Sequence, residues 1–419
     1  MVKEGYKEVK ALGEKYIIPE EWSLKELNEV LTVIRNGSSK KQNKQGKGLP
    51  VSRIETIADG TINYDKIGYV DLESEDLKKH KLEKGDILFS HINSIAHIGK
   101  VAQYKADKKL YHGMNLLKLR FDNEKVTDQF MLHRLKSVNA KHFYERYAKQ
   151  AVNQASLNQN DVGLYTFPLP PLPEQKKISS ILSSVDESIE KTDEVIEETK
   201  ELKKGLMQEL LTKGIGHSEF KDSQFGKIPK EWRVEQVKNV SKINLGASPS
   251  SYTYNDSGNG LPFFQGNADF GFLYPIPTQW CTDPKKIAEK GEVLISVRAP
   301  VGELNLAPFE CCIGRGLTSI DGKDVENKYI FYYFKQFKAK LESYSQGSTF
   351  SAITKSILET FPILVPPKEE QKKIASILSS VDAKIKKEEE YKSKLERLKK
   401  GLMQKLLTGE IRVNTEMEV

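Results

Sequence analysis

Apolar residues recur mostly every three, four or seven positions through two long stretches of the chain. The first holds Ile178, Leu182, Val185, Ile189, Ile196, Leu202, Leu206 and Leu210. The second holds Ile374, Leu378, Val381, Ile385, Tyr391, Leu395, Leu398, Leu402 and Leu406. Held over about five heptads, this alternation predicts two long helices with a coiled-coil seam. Prolines stand just ahead of each, in "PLPPLPEQ" at 168–175 and "VPPKEEQ" at 365–371. A helix start tolerates proline, because the missing N–H would have had no partner there. About 38 helical residues at about 1.5 Å each make a rod of roughly 57 Å. The plainer alternative is an ordinary amphipathic helix on each domain. Elsewhere β-branched and aromatic residues broken by glycine, as in "GTINYDKIGYV" and "GEVLISV", predict α/β domains with twisted strands.

The two stretches are copies at their ends. "EQKKISSILSSVD" at 174–186 returns as "EQKKIASILSSVD" at 370–382, and "LKKGLMQELLT" at 202–212 returns as "LKKGLMQKLLT" at 398–408, always 196 residues later. Their middles differ in charge. Residues 187–201 hold Glu187, Glu190, Asp193, Glu194, Glu197, Glu198 and Glu201, whereas 383–397 hold Lys384, Lys386, Lys387, Lys392, Lys394 and Arg397 against four glutamates. One middle suits the other better than itself, so pairing within the chain is expected. Antiparallel pairing is expected too, since parallel helices would crowd both globular regions at one end. Identical ends related by a pseudo-twofold are expected to present the same surface to two copies of one partner. The globular regions match only at landmarks: "IPEEW" at 18–22 and "IPKEW" at 228–232, "GDILFS" at 85–90 and "GEVLIS" at 291–296, and "FP" at 167–168 and 361–362.

The predicted fold class is therefore α/β: two globular domains separated by two long helices in an antiparallel coiled coil, with an internal pseudo-twofold repeat. The expected boundaries are a first domain at 1–168, a helix at 169–213, a second domain at 214–365, a helix at 366–412, and a tail at 413–419. A chain of 419 residues is long enough for two or three domains. Its 38% hydrophobic and 29% charged residues suit a globular protein with long surface helices. The net charge of +7 is a mild bias toward polyanionic partners. No apolar run reaches the roughly 18–20 residues of a membrane span, and the start has no signal-peptide core, so a cytoplasmic location is expected. Cys281, Cys311 and Cys312 offer neither a disulfide framework nor a metal-ligand spacing.

Signatures of catalysis are missing. There is no G-x-x-x-x-G-K-[ST] phosphate loop, no N/D-P-P-Y/F tetrapeptide, no glycine-rich cofactor fingerprint and no H-x-x-x-H pair. The reading is a non-catalytic reader and scaffold. The alternatives weighed are a self-contained restriction–methyltransferase enzyme and a coiled-coil interaction scaffold with no DNA role.

The order of two variable regions and two "PPLPEQ…LMQ.LLT" helices resembles the specificity (S) subunit of type I restriction–modification systems. "GDILFSHINSIAHIGKV", "CCIGRGLTSI", "GSTFSAITKSIL" and the closing "LLTGEIRV" carry the same resemblance, which covers essentially the whole chain. It implies that each globular domain is a target recognition domain reading one half of a bipartite, asymmetric double-stranded DNA site. It implies that the helices form a spacer on which two modification (methyltransferase) subunits dock, and that restriction (translocase–nuclease) subunits join. S-adenosylmethionine, ATP and Mg²⁺ would then be used through other subunits, with no cofactor bound by this chain.

Arginine reads guanine and Asn or Gln reads adenine, while lysines and hydroxyls hold phosphates. Candidate DNA contacts in the first domain are Arg53 in "LPVSRIETI", and Ser90, His91 and Asn93 in "FSHINS". In the second they are Gln265 and Asn267 in "FFQGNADF", Ser296 and Arg298 in "ISVRAP", and Arg315 in "IGRGL". The run "SSKKQNKQGK" at 38–47 is either a phosphate clamp or a solvated loop. "YIFYYFKQF" at 329–337 has helical spacing and is expected to be core rather than a base-stacking platform. Candidate partner contacts are the repeated helix residues Gln175, Ile178, Leu206, Met207, Gln371, Ile374, Leu402 and Met403.

Overall fold

The "GDILFS" landmark and its counterpart "GEVLIS" each become one of the two inner strands of a four-stranded antiparallel sheet. The structure is a computed structural model that describes residues 2–71, 74–105, 108–152, 154–344 and 352–415. It divides into a first unit, residues 1–191 with 391–419, and a second unit, residues 192–390. The motif "GSTFSAITKSIL" falls partly outside the described residues.

In the first unit the strand order is Leu31–Asn36, Leu116–Phe121, Ile87–Ser90, Val101–Gln103. In the second it is Ser241–Leu245, Leu317–Gly322, Val293–Ser296, Leu304–Leu306. The same order in both is the structural form of the repeat. Ile87–Phe89 and Val293–Ile295 are apolar without alternation because both faces of these strands are covered. Ile87 and Phe89 pack with Phe130, Met131 and Tyr144, while Leu88 packs on the other side with Ile57, Leu82 and Tyr104. Val293 and Ile295 pack on the helix Asn327–Gln336, and Leu294 packs with Phe264, Cys311 and Ile313. Tyr329 through Phe334 are all buried, so the aromatic run is core, as its spacing predicts. Burial pushes the Cys311 and Cys312 thiols up to about 12, and all three cysteines are free.

A closing strand leads into each long helix. Thr166–Leu169 pairs with Ser23–Glu26, and Pro362–Val365 pairs with Arg233–Gln236. The helices run Leu172–Leu210 and Lys368–Leu406, 39 residues each. Within the first unit, Ile178 and Leu182 share a core with Leu406 and Leu407, and Asp186 pairs with Lys399. Within the second, Leu210 and Leu211 share a core with Ile374 and Leu378, while Lys203 meets Asp382 and Lys200 meets Glu389. Residue numbers rise along one helix as they fall along the other, so the pairing is antiparallel in each unit.

The seam departs from the predicted one. Leu202 and Leu398 are 56% and 51% exposed, and Tyr391 also faces solvent. In the second unit the inward positions are Thr192, Ile196, Thr199, Lys203, Met207 and Leu210. The reason is electrostatic. Lys203 Nζ bonds to Asp382 Oδ1 at 2.5 Å, and the Tyr332 hydroxyl donates to Asp382 Oδ2 at 2.7 Å. Turning Lys203 inward places its neighbour Leu202, one step of about 100° away, outward.

The segments after the helices also belong to the domains. The first helix ends at Leu210 and the second at Leu406, a few residues short of the expected boundaries. Tyr6 donates to the Gly409 carbonyl at 2.9 Å, Arg412 clasps Glu174 at 2.6 Å, and Val413 packs on the first core. Similarly, His217 meets Glu370 at 2.8 Å in the second unit. Gly214 and Gly409 make these turns with φ of 71° and 78°, which suits glycine. Residues 416–419 of the expected tail lie outside the described residues.

Candidate nucleic-acid interface

In the second domain, strand Leu261–Phe264 runs parallel to Cys311–Ile313, with Phe263 opposite Cys312. Two turns leave this pair side by side, one carrying Gln265 and the other Arg315. The Gly314 N–H donates to the Phe264 carbonyl at 2.9 Å, and the Gly316 N–H to the Gln265 carbonyl at 3.1 Å. A third turn at 246–248 closes on them. A Cβ at Gly246 would lie 2.1 Å from the Gly314 carbonyl oxygen, so that approach requires glycine. The Gln265 amide donates to Ser248 Oγ at 2.9 Å. Val297 N–H donates to the Gly316 carbonyl at 2.9 Å, which brings Arg298 to the same group of loops. Arg298, Arg315 and Gln265 are exposed, and among the described residues neither guanidinium is in an ion pair. Asn267 is half-buried and opens a short turn at Asn267–Asp269. Ser296 departs from expectation: it is buried, its hydroxyl donating to the Pro300 carbonyl at 2.7 Å and accepting from Glu303 N–H at 2.9 Å. It closes a turn rather than facing a groove.

The first domain repeats this geometry with other side chains. Arg53 is half-buried, its guanidinium against Glu55 at 3.2 Å and Gln42 at 3.4 Å. It lines an open cleft of about 520 Å³ with Lys40, Lys41, Gln42, Met114 and Asn115. Ser90 and His91 are buried, so neither presents a polar group to a partner as expected. Burial pushes the His91 imidazole down to about 4, which keeps it neutral. Asn93 is partly buried and donates to Ser90 Oγ at 3.1 Å while accepting from Ser94 N–H at 2.8 Å. These three residues brace the turn after the inner strand.

The run at 38–47 hides a second repeat. "NKQGKGLP" at 43–50 and "NDSGNGLP" at 255–262 share N-x-x-G-x-G-L-P. Asn43 Nδ2 donates to the Lys47 carbonyl, and Asn255 Nδ2 to that of Asn259, each at 2.8 Å. Each asparagine also accepts two backbone N–H groups from its own loop. Gly46 and Gly48 have φ of 78° and 99°, and Gly258 and Gly260 have 84° and 87°. The segment is a folded asparagine-built turn carrying the exposed lysines Lys41, Lys44 and Lys47.

Most of the identical helix residues are used inside the chain. Gln175 is buried, donating to the Lys125 and Pro170 carbonyls and accepting from Thr127 N–H at 2.9 Å. Gln371 does the same with the Asp324 and Pro366 carbonyls and with Glu326 N–H. Trp22 donates to Glu174 and Trp232 to Glu370, at 2.9 and 3.0 Å. Ile178, Ile374 and Met207 are buried in their own cores, and Leu206, Leu402 and Met403 pack against them. Gln175, Gln371, Ile178, Ile374 and Met207 therefore lack the exposure that partner docking needs. Each helix start clamps its own domain, and the same clamp in both domains accounts for the repeat of Gln175 as Gln371. The identical positions left open include Lys176 and Lys372, Leu202 and Leu398, and Gln208 and Gln404.

A family model described as "Type I restriction modification DNA specificity domain" matches residues 19–201 and again 229–397. The chain belongs to that family. A relative from Methanocaldococcus jannaschii, named as a putative type I restriction enzyme MjaX specificity subunit, is 46% identical over 405 residues, covering 95% of each chain. A solved structure titled for the complex assembly and conformational transition of the type I R-M system matches with TM-score 0.59 and 28% identity, covering 94% of this chain and all of that one. The S subunit from M. genitalium has the same fold, with TM-score 0.62 over 92% of this chain and 96% of its own, at 16% identity. The two matched segments coincide with the repeat. This type I family member is a DNA specificity subunit, and catalysis in such systems lies in other subunits; neither alternative weighed above has support. Among the described residues no helix is long and apolar enough to cross a membrane, and no three His, Cys, Asp or Glu residues are placed to hold a metal ion.

Proposed function

We propose that each globular domain reads one half of a bipartite, asymmetric target in double-stranded DNA. One observation carries the reading. The two domains share strand order and loop scaffold, yet their loop tips differ: Arg53 and Met114 in one, Gln265, Arg315 and Arg298 in the other. A common frame with different polar tips suits two unrelated half-sites on one polymer. Two modification (methyltransferase) subunits would dock on the repeated, open helix faces around Leu202 with Ile377 and Leu398 with Ile181, and restriction (translocase–nuclease) subunits would join them. S-adenosylmethionine, ATP and Mg²⁺ would be bound by those subunits, in the cytoplasm. The length of the helices would set the unread gap between the half-sites. The test exchanges residues 19–165 for the corresponding domain of another family member and maps methylation by the assembled enzyme. One half-site should change and the other persist. Change in both halves, or in neither with activity retained, would refute the reading.

A further inference from the structure

We infer that discrimination within each half-site rests on two pseudo-equivalent loop tips: Arg53 with Met114 in the first domain, and Gln265 with Arg315 in the second. The inference rests on the reading of the domains as half-site readers and assigns base classes to named residues.

The equivalence is set by backbone pairing. Leu49 and Pro50 lie opposite Val70 and Tyr69, as Leu261 and Pro262 lie opposite Cys281 and Trp280. Val51 bridges Tyr111 in parallel, as Phe263 bridges Cys312. Counting two residues on from each bridge reaches Arg53 and Gln265 on one turn; counting three on from the partner reaches Met114 and Arg315 on the other. The third turn matches as well. Ser38 N–H donates to the His112 carbonyl and Ala247 N–H to the Ile313 carbonyl, each at 3.0 Å. A Cβ at Gly37 would fall 1.8 Å from the Gly113 carbonyl oxygen, just as one at Gly246 would crowd Gly314. The backbone is thus held alike in both domains, while each tip differs in chemistry from its counterpart in the other domain: Arg53 from Gln265, and Met114 from Arg315. Where one scaffold serves two sequences, the differing tips are where the difference can be read.

Each polar tip next to the asparagine turn is already oriented. Glu55 holds the Arg53 guanidinium in a fork, with Nε at 3.2 Å and Nη2 at 3.4 Å, and Ser248 holds the Gln265 amide. Orientation before binding lowers the entropy cost of immobilising a long side chain. An arginine fork matches guanine O6 and N7, and a glutamine amide matches adenine N6 and N7. Met114, 48% exposed, presents an apolar end suited to a thymine methyl group. The first half-site therefore contains a guanine read by Arg53 beside a position contacted by Met114. The second contains an adenine read by Gln265 beside a guanine read by Arg315.

The test maps methylation by the assembled enzyme on duplexes with randomised half-sites, using chains carrying Arg53→Gln or Gln265→Arg. Arg53→Gln should lower the guanine preference at one position of one half-site by roughly 5- to 150-fold and leave the other half-site intact. Gln265→Arg should move one position of the other half-site away from adenine. Should Arg53→Gln fail to assemble, Arg53→Lys decides, since it keeps the charge but not the fork: guanine preference falls while overall binding persists. Unchanged preference at every position overturns the inference, and so does uniform weakening across all sequences, the mark of a phosphate contact. A single variant that alters both half-sites overturns the half-site reading itself, separately from the assignment of tips.

Discussion

Asp382→Ala should destabilise the second unit far more than Asp186→Ala destabilises the first, although the two aspartates are 196 residues apart at the same place in near-identical sequence. Asp382 has no exposed side-chain surface, and its partner Lys203 retains only 11%. Removing one partner of a buried pair costs about 3–5 kcal/mol, because the other charge is stranded. The exposure that Lys203 retains brings the figure to about 2–4 kcal/mol. The Tyr332 hydroxyl, which burial holds well above the usual phenol range, also loses the nearer of its two acceptors and keeps only Ser379 Oγ at 3.4 Å. In a unit of this size 1 kcal/mol moves the melting temperature by about 2–4 °C, so the transition should fall by about 5–15 °C. Around Asp186 the side chains are 36% and 21% exposed, and His133 lies 3.8 Å away where the second unit has Tyr332. Solvent screening there limits the loss to about 0–1 kcal/mol. Scanning calorimetry of both variants decides the matter. Combining Lys203→Met, Asp382→Leu and Tyr332→Phe should recover part of the loss, since neither member of the pair is left stranded and only the nearby Lys335, whose charge Asp382 favours, still feels the change. Equal shifts at both sites, or a shift near zero for Asp382→Ala, would refute the reasoning.

Acidification should weaken the first unit before the second. Burial pushes His91 and His133 down to about 4 and His112 to about 3, so between those values and about 6.5 the unfolded chain binds the protons. Their contribution is complete above about pH 6.5 and is lost as pH falls toward 4, by about 1 kcal/mol per unit for each group. Calorimetry between pH 7 and 5 should show the first transition falling further than the second, whose unit holds His217 alone among the histidines. Gln175→Ala and Gln371→Ala should each cost about 1–3 kcal/mol, each lowering only its own unit's transition, because buried carbonyls and an N–H are left unpaired. Leu202→Glu with Leu398→Glu should leave stability within about 0.5 kcal/mol. Native mass spectrometry should nonetheless show the double variant losing modification subunits, whereas the unaltered chain carries two.

The long helices and the aromatic core at 329–334 were legible in the sequence because periodicity alone dictates a face. The seam was legible only in part. Apolar spacing selects Leu202 and Leu398, and it carries no sign that a buried carboxylate on the other helix turns Lys203 inward. The identity of the helix starts was visible, but its cause was ambiguous. Gln175 and Gln371 each grip one backbone carbonyl 50 or 47 residues earlier in their own domains, a contact that spacing does not reveal. Sheet order was equally hidden, since Ser241–Leu245 pairs with Leu317–Gly322 across most of a domain. The N-x-x-G-x-G-L-P turn stood in plain view at 43 and 255, obscured by the divergent residues around it. Ser90, His91 and Ser296 resembled groove-facing groups because they end an apolar strand, yet the turns that follow fold back and bury them.

The methylation pattern of DNA modified by the unaltered chain together with modification subunits tests the half-site reading most directly. Mapping every modified base should yield a target of two unrelated half-sites separated by a fixed unread gap, with a guanine in one half and an adenine beside a guanine in the other. A palindromic target, or a pattern that persists when this chain is left out, would contradict it.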